Sequence, residues 1–158
     1  MDKFSRIVRD YKNYIWKVSY YILKDEHLAE DACQETLMIL NDNLEKIDLD
    51  SPRSQGFITV VARHKAYELY NKEKRYVYGE DDISTNLAEE LDNSSELMDA
   101  IHSLSPLYSS VLLLSSVHGY NDQEIASILK ISHDTVRKRK ERARKQLEKI
   151  YYGEEGGR

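Results

Sequence analysis

The chain has 158 residues and a mass of 18.5 kDa, room for one ordinary domain or two small ones and too little for a large multidomain enzyme. Charged residues make up 32%, with 2 Pro, 6 Gly and 12 Tyr against 2 Phe, a helix-permissive composition short of the turn signals that a barrel or sandwich needs. A formal net charge of -5 argues at first sight against a nucleic-acid partner, because replacing phosphate counterions requires Lys and Arg.

Residues 1–50 hold 7 Lys and Arg against 11 Asp and Glu. Phe4, Ile7, Val8, Tyr11, Tyr14, Ile15, Val18 and Ile22 recur at threes and fours, an apolar stripe over about five helical turns. The pattern breaks at Lys24-Asp25, and Asp25 is placed to cap a second helix. That helix carries Leu28, Ala29, Ala32, Cys33, Thr36, Leu37, Leu40 and Leu44 on one side and Glu30, Asp31, Gln34, Glu35 and Met38 on the other. Cys33 lies within the apolar stripe, which predicts an inert core thiol.

A polar loop over 46–56 contains Pro52, and a long helix then spans about 55–75. Residues 51–78 hold 6 bases and 2 acids. Phe57, Ile58, Val61, Ala62 and Leu69 supply a core face, surrounded by Arg63, His64, Lys65, Lys72, Lys74 and Arg75 interleaved with Tyr67, Tyr70, Tyr76 and Tyr78. Cations track a phosphate backbone and aromatic faces stack on unpaired bases, so this mixture fits single-stranded or locally melted DNA. A solvated basic helix with half-buried tyrosines fits the same residues.

Residues 79–99 then hold no base and 8 acids. From Gly79 to about Asn93 the apolar residues follow neither helical nor strand periodicity, which predicts a solvated flexible linker over 79–96. A sharper reading is that its carboxylates imitate a polyanion in a basic channel built for nucleic acid.

The C-terminal part is the most specific. A helix over 105–117 starts at Ser-Pro, with Pro106 tolerated in the first turn, and ends at His118-Gly119-Tyr120. Asn121 with Glu124 three positions later makes a capping-box start, and Ile125, Ala126, Ile128 and Leu129 give a short helix its buried face. After a turn at Lys130-Ile131-Ser132, Ser132 caps a final helix over 133–151 with Val136, Ala143, Leu147 and Ile150 inward. A short helix, a tight turn and a second helix form the helix-turn-helix arrangement, in which the second helix enters the major groove. Residues 133–149 of that helix hold 8 bases against 3 acids. The acidic average therefore conceals two basic segments separated by an acidic one.

At these residues the chain resembles a known family. NDQEIASILKISHDTVRKRKERARKQL is similar to region 4 of bacterial RNA polymerase sigma factors, and DEHLAEDACQETLMIL followed by GFITVVARHKAYELYNKEKR is similar to their region 2. The two occur in the family's order, without a region 1.1 or region 3 domain, as in extracytoplasmic-function (ECF) sigma factors. The resemblance covers nearly the whole chain, and the D-x-x-Q-E helix together with the helix-turn-helix is its most specific part. It implies an all-α protein of two small helical domains: a region 2-like bundle over 1–78 and a region 4-like domain over 97–152, joined by the linker over 79–96 and followed by a tail over 153–158.

The resemblance also implies roles. Asp31, Gln34, Glu35 and Met38 would dock on the clamp of the largest subunit of core RNA polymerase. The loop over 46–56 would hold a flipped-out minus-10 base, and Arg63, His64, Lys65, Tyr67 and Glu68 would meet the non-template strand. Arg137, Lys138 and Arg142 would reach the minus-35 element, with Thr135, Arg139 and Arg144 as phosphate or packing residues. His64 stands where the family usually has Asn, Phe57 where it has Trp, Asn71 where it often has Arg, and Lys138 where it has a small Ser. Lys140 replaces an apolar residue between Val136 and Ala143, which predicts a looser docking of the final helix, its stem snorkelling to solvent. Read as a surface residue, His64 would have no such role. ECF members are commonly held by an anti-sigma factor, so promoter DNA, core polymerase and an anti-sigma factor are the expected partners.

Two other classes compete: a helix-turn-helix regulator that is not a polymerase subunit, and a metal-dependent hydrolase built on Glu30, Asp31 and Glu35. The hydrolase lacks a second acidic helix to complete a site. The five histidines and single cysteine show no ligand spacing, so no metal or cofactor is expected. With no disulfide pair, no apolar signal core in the first thirty residues and no stretch near the ~18 apolar residues of a membrane span, the chain is expected in the cytoplasm.

Overall fold

Every helix must satisfy N–H groups that lack a partner in its first turn, and this sequence places short polar side chains to do so. Helix α1 (Lys3–Leu23) begins with Asp2, whose carboxylate accepts from Ser5 N at 2.7 Å. Helix α2 (Glu26–Asp42) begins with Asp25, accepting from Leu28 N at 2.9 Å. A single 3-10 turn at Leu44–Lys46 follows. Helix α3 (Arg53–Tyr78) starts two residues earlier than its apolar pattern predicts, because Ser51 Oγ accepts from Arg53 N at 3.2 Å. The computed structural model describes residues 1–78 and 96–156. The expected linker lies, apart from its last residue, outside the described residues.

The second set of helices is α4 (Glu96–Ser103), α5 (Pro106–Ser116), α6 (Asp122–Leu129) and α7 (His133–Gly156). Helix α4 was not expected. It buries Ala100 and Ile101, with Leu104 just past its end. Helix α7 runs past the expected end at 151 to Gly156. Its inward stripe is shorter than predicted: Val136 and Ala143 are fully buried, but Leu147 is half-buried and Ile150 is 50% exposed. Gly119, between α5 and α6, has φ +76, a left-handed conformation that side chains with a Cβ rarely adopt.

The chain divides into two compact units, Met1–Asp81 and Asp82–Arg158. In the first, α1, α2 and α3 pack pairwise around Ile7, Ile15, Ala29, Ala32, Leu40, Ile58 and Val61. Thr59 Oγ1 donates to Gln55 O at 2.7 Å, so the 2.8 Å contact between Tyr14 and Thr59 has the Tyr14 hydroxyl as donor, fixing α1 against α3. Lys3 Nζ donates to Leu44 O and Ile47 O at 2.9 and 2.8 Å, holding the chain after α2 against the start of α1. Cys33 is buried, as its stripe position predicted, and burial together with the nearby Glu30 carboxylate pushes its thiol pKa up. In the second unit α4 and α6 each pack on α5 and α7, enclosing Val111, Leu114, Ile125, Ile128, Leu129 and Val136.

Among the described residues, two that are not glycine cap helices in the left-handed region: Lys24 after α1 (φ 55) and Lys130 after α6 (φ 58). A left-handed conformation costs an L-residue roughly 1–2 kcal/mol, while glycine adds up to ~1 kcal/mol of unfolded-chain entropy. The net makes Lys130→Gly stabilising, by about 0.5–1 kcal/mol. The expected result is a rise of a few °C in melting temperature by differential scanning calorimetry; a fall would show that the lysine side chain secures this turn.

Candidate nucleic-acid interface

Helices α6 and α7 and the turn between them form the expected helix-turn-helix. The capping box at the start of α6 is complete: Asn121 Oδ1 accepts from Glu124 N at 2.8 Å, and Glu124 Oε1 accepts from Asn121 N at 3.0 Å. At the turn, Lys130 N–H reaches Ala126 O and Ile131 N–H bonds the same carbonyl at 3.1 Å. Ser132 Oγ then accepts from Thr135 N at 3.0 Å and starts α7, its hydroxyl also 2.8 Å from Thr135 Oγ1. Thr135 is thereby committed to the cap.

The position of α7 on α6 is set by packing and by one ion pair. Lys140, expected to loosen this docking, instead places Nζ 2.8 Å from Asp122 Oδ1 with both side chains largely buried (16% and 27% exposed). The charge that interrupts the apolar stripe is thus matched by a carboxylate in the first turn of the neighbouring helix. Replacing Lys140 or Asp122 with Ala should lower the unit's melting temperature. A double-mutant cycle should return a coupling of about 1 kcal/mol; additive losses would mean that the pair does not fix the helix.

Among the candidate minus-35 residues, Arg137, Lys138, Arg142 and Arg144 are exposed, while Thr135 and Arg139 are half-buried. At 3.6 residues per turn, Lys138 and Arg142 lie along one flank of the outer face and Arg137 and Arg144 along the other, with Asp134 and Glu141 between. Asp134, outside the expected site residues, acts on two of them. Its carboxylate pairs with Arg137, and with Lys138 at 3.1 Å, and the side-chain hydrogen bonds from both cations hold its pKa below the usual carboxylate range. Its i,i+3 and i,i+4 spacing to those cations was the available signal. Arg142 carries no ion pair among the described residues.

In the first unit, Asp31, Gln34, Glu35 and Met38 project from one face of α2, all exposed, with Met38 at 61%. Glu30 accepts from Gln34 Nε2 at 3.2 Å. Among the described residues no group of three His, Cys, Asp or Glu side chains is placed to hold a metal ion, and no helix is long and apolar enough to cross a membrane.

The α3 candidates are not presented as one surface. Arg63, His64 and Tyr67 are buried, at 4%, 0% and 0% exposure, which removes the reading of His64 as a surface histidine and of Tyr67 as half-buried. Lys65 and Glu68 are half-buried and paired at 2.7 Å, and Lys65 Nζ also lies 3.9 Å from Glu35 Oε1. The Tyr67 and Tyr70 rings are 5.5 Å apart and tilted by 32°.

Two family models match the chain: Sigma-70 region 2 over residues 7–76 and Sigma-70, region 4 over residues 94–147. Among curated relatives, the ECF RNA polymerase sigma factor SigM of Bacillus subtilis is 26% identical over 155 residues, covering 93% of this chain and 94% of the relative. The ECF RNA polymerase sigma factor SigE of Mycolicibacterium smegmatis is 24% identical over 163 residues; the match covers 93% of this chain but only 61% of that relative's length. Among solved structures, the sigma factor RpoE of Bartonella quintana, in complex with the anti-sigma factor NepR, aligns at 18% identity with a TM-score of 0.44, covering 98% of this chain and 99% of that one.

Proposed function

The chain belongs to the sigma-70 family, in its ECF group, and from that premise we propose that it binds core RNA polymerase and directs promoter-specific initiation. The observation that carries this reading is the succession of a region 2 match and a region 4 match on one chain. The two matches coincide with helical units that expose different chemistry.

In this proposal the first domain spans 1–78 and the second 97–152, with 79–96 as linker and 153–158 as tail. The α2 face of Asp31, Gln34, Glu35 and Met38 docks on the clamp of the largest subunit, where acidic and amide groups suit basic partner side chains and Met38 adds an adaptable apolar contact. Helix α7 enters the minus-35 major groove. Lys138 and Arg142 approach base edges from one flank and Arg137 from the other, while Arg139 and Arg144 hold phosphates.

Lys65 and Glu68 meet the melted minus-10 strand. Arg63, His64 and Tyr67 join them only if binding uncovers that side of α3, at the cost of a conformational change. The protein performs no chemistry of its own; the polymerase does. It acts in the cytoplasm, where an anti-sigma factor is the expected antagonist.

The test is a titration of purified bacterial core polymerase with the labelled chain, followed by binding to promoter DNA. Stoichiometric holoenzyme that binds promoter DNA more tightly than the free chain does is the expected result. Tight, sequence-specific binding by the free chain with no polymerase association would identify an independent helix-turn-helix regulator instead.

A further inference from the structure

Averaging over residues 1–50 conceals a second charge reversal. Residues 1–24 hold six bases, Lys3, Arg6, Arg9, Lys12, Lys17 and Lys24, against Asp2 and Asp10; residues 25–50 hold one base against nine acids. Helix α1 is therefore a third basic segment, joined directly to the acidic α2. Its inner side, with Ile7, Ile15, Ser19 and Ile22 buried, packs on α2 and α3. At 3.6 residues per turn, the opposite side carries Arg6, Arg9, Asn13, Lys17 and Tyr20, bordered by Asp10 on one flank and Trp16 on the other.

Tyr20 and Tyr21 are each 38% exposed, and Trp16 beside them is half-buried. Trp16 and Tyr20 stack with ring centroids 5.1 Å apart and an interplanar angle of 5°, and Lys24 Nζ lies 4.5 Å over the Tyr21 ring. Arg9 is partly engaged by Asp10 at 2.7 Å, whereas Lys17 is exposed with no ion pair among the described residues. The side thus presents the exposed Arg9 and Lys17 and the half-buried Arg6, with Asn13 on the turn between Arg9 and Lys17, beside a ring stack whose exposed member is Tyr20.

We propose that the outer face of α1 binds single-stranded nucleic acid, its cations following the phosphates and the Trp16–Tyr20 stack receiving unpaired bases. Cations on one face with interleaved aromatic faces are the combination that binds single strands without sequence preference. Duplex DNA would use the cations alone, because its base faces are covered. An acidic protein would match the charge but leave the ring stack without a role. This face of α1 shares no residue with the α2 face, the α3 candidates or the helix-turn-helix, and the proposal does not depend on the polymerase reading.

Trp16 is the single tryptophan of the chain, so its fluorescence reports on this surface directly. Titration of the full-length protein with a dT oligomer of about a dozen nucleotides should quench Trp16 saturably and weaken with salt. Tyr20→Ala should weaken this binding at least about fivefold, the lower bound for losing one base–aromatic stack, while Tyr20→Phe should retain it. Arg6→Ala with Lys17→Ala should lower the salt slope by about 1.4, at roughly 0.7 per phosphate contact on a single strand. All three positions lie off the buried side of α1, and circular dichroism checks that each variant keeps its helix content. No quenching, or quenching unaffected by both sets of variants, would overturn the proposal. Equal quenching by polyglutamate or by a duplex of the same length would overturn it in favour of a charge-only surface. Loss of holoenzyme formation with dT quenching intact would sink the polymerase reading alone.

Discussion

The double variant Asp31→Ala, Gln34→Ala is expected to lose affinity for core RNA polymerase by roughly 30-fold or more, the equivalent of about one 2 kcal/mol interface hot spot. Both side chains are exposed on α2 and away from its buried stripe, so the variant should fold normally and bind minus-35 duplex with unchanged affinity. Met38→Ala, removing an apolar group that is 61% exposed, should act in the same direction. Fluorescence anisotropy with labelled protein reads the polymerase affinity, and an electrophoretic shift with duplex DNA reads the other. Equal losses in both assays would contradict the separation of polymerase docking from DNA reading.

Arg142→Ala should weaken minus-35 binding by about 5- to 150-fold if the guanidinium makes a bidentate contact to guanine, which discriminates by ~1–3 kcal/mol. Arg142 is the strongest candidate because it is exposed and carries no ion pair among the described residues. Arg137 and Lys138 must first leave Asp134, although surface pairs of this kind oppose that by only ~0–1 kcal/mol. The sequence dependence identifies the contact. A base-reading Arg142 loses affinity for the preferred element more than for scrambled duplex, whereas a phosphate contact loses both equally and lowers the salt slope by about 0.9. Unchanged affinity across several salt concentrations would place this flank of α7 away from the DNA.

Local chemistry made much of this fold legible. Asp25, Asn121 with Glu124, and Ser132 marked helix starts because a cap involves residues three apart and depends on little else. The α2 face was legible for a similar reason: Asp31, Gln34, Glu35 and Met38 share a side opposite an unbroken apolar stripe. Helix α4 was not legible, because Leu97, Met98, Ile101 and Leu104, which have helical spacing, adjoin an acidic stretch without apolar periodicity.

What depends on tertiary contact was not legible. The Lys140–Asp122 pair joins residues 18 apart, and nothing in the local pattern shows that a charge inside the stripe meets its partner. Periodicity locates apolar faces, so it could not show that α3 also buries Arg63, His64 and Tyr67. The basic character of α1 was hidden for an arithmetical reason, since its charge was averaged with that of the acidic helix after it.

In the proposed function this chain confers promoter choice on a polymerase that lacks it. That role is tested most directly by transcription in vitro, with purified core RNA polymerase on a library of genomic fragments and the chain present or absent. The expected result is chain-dependent transcripts whose start sites share spaced upstream minus-35 and minus-10 elements, and fewer of them with Arg142→Ala. An unchanged transcript population, together with no measurable binding of the chain to core polymerase, would contradict that role.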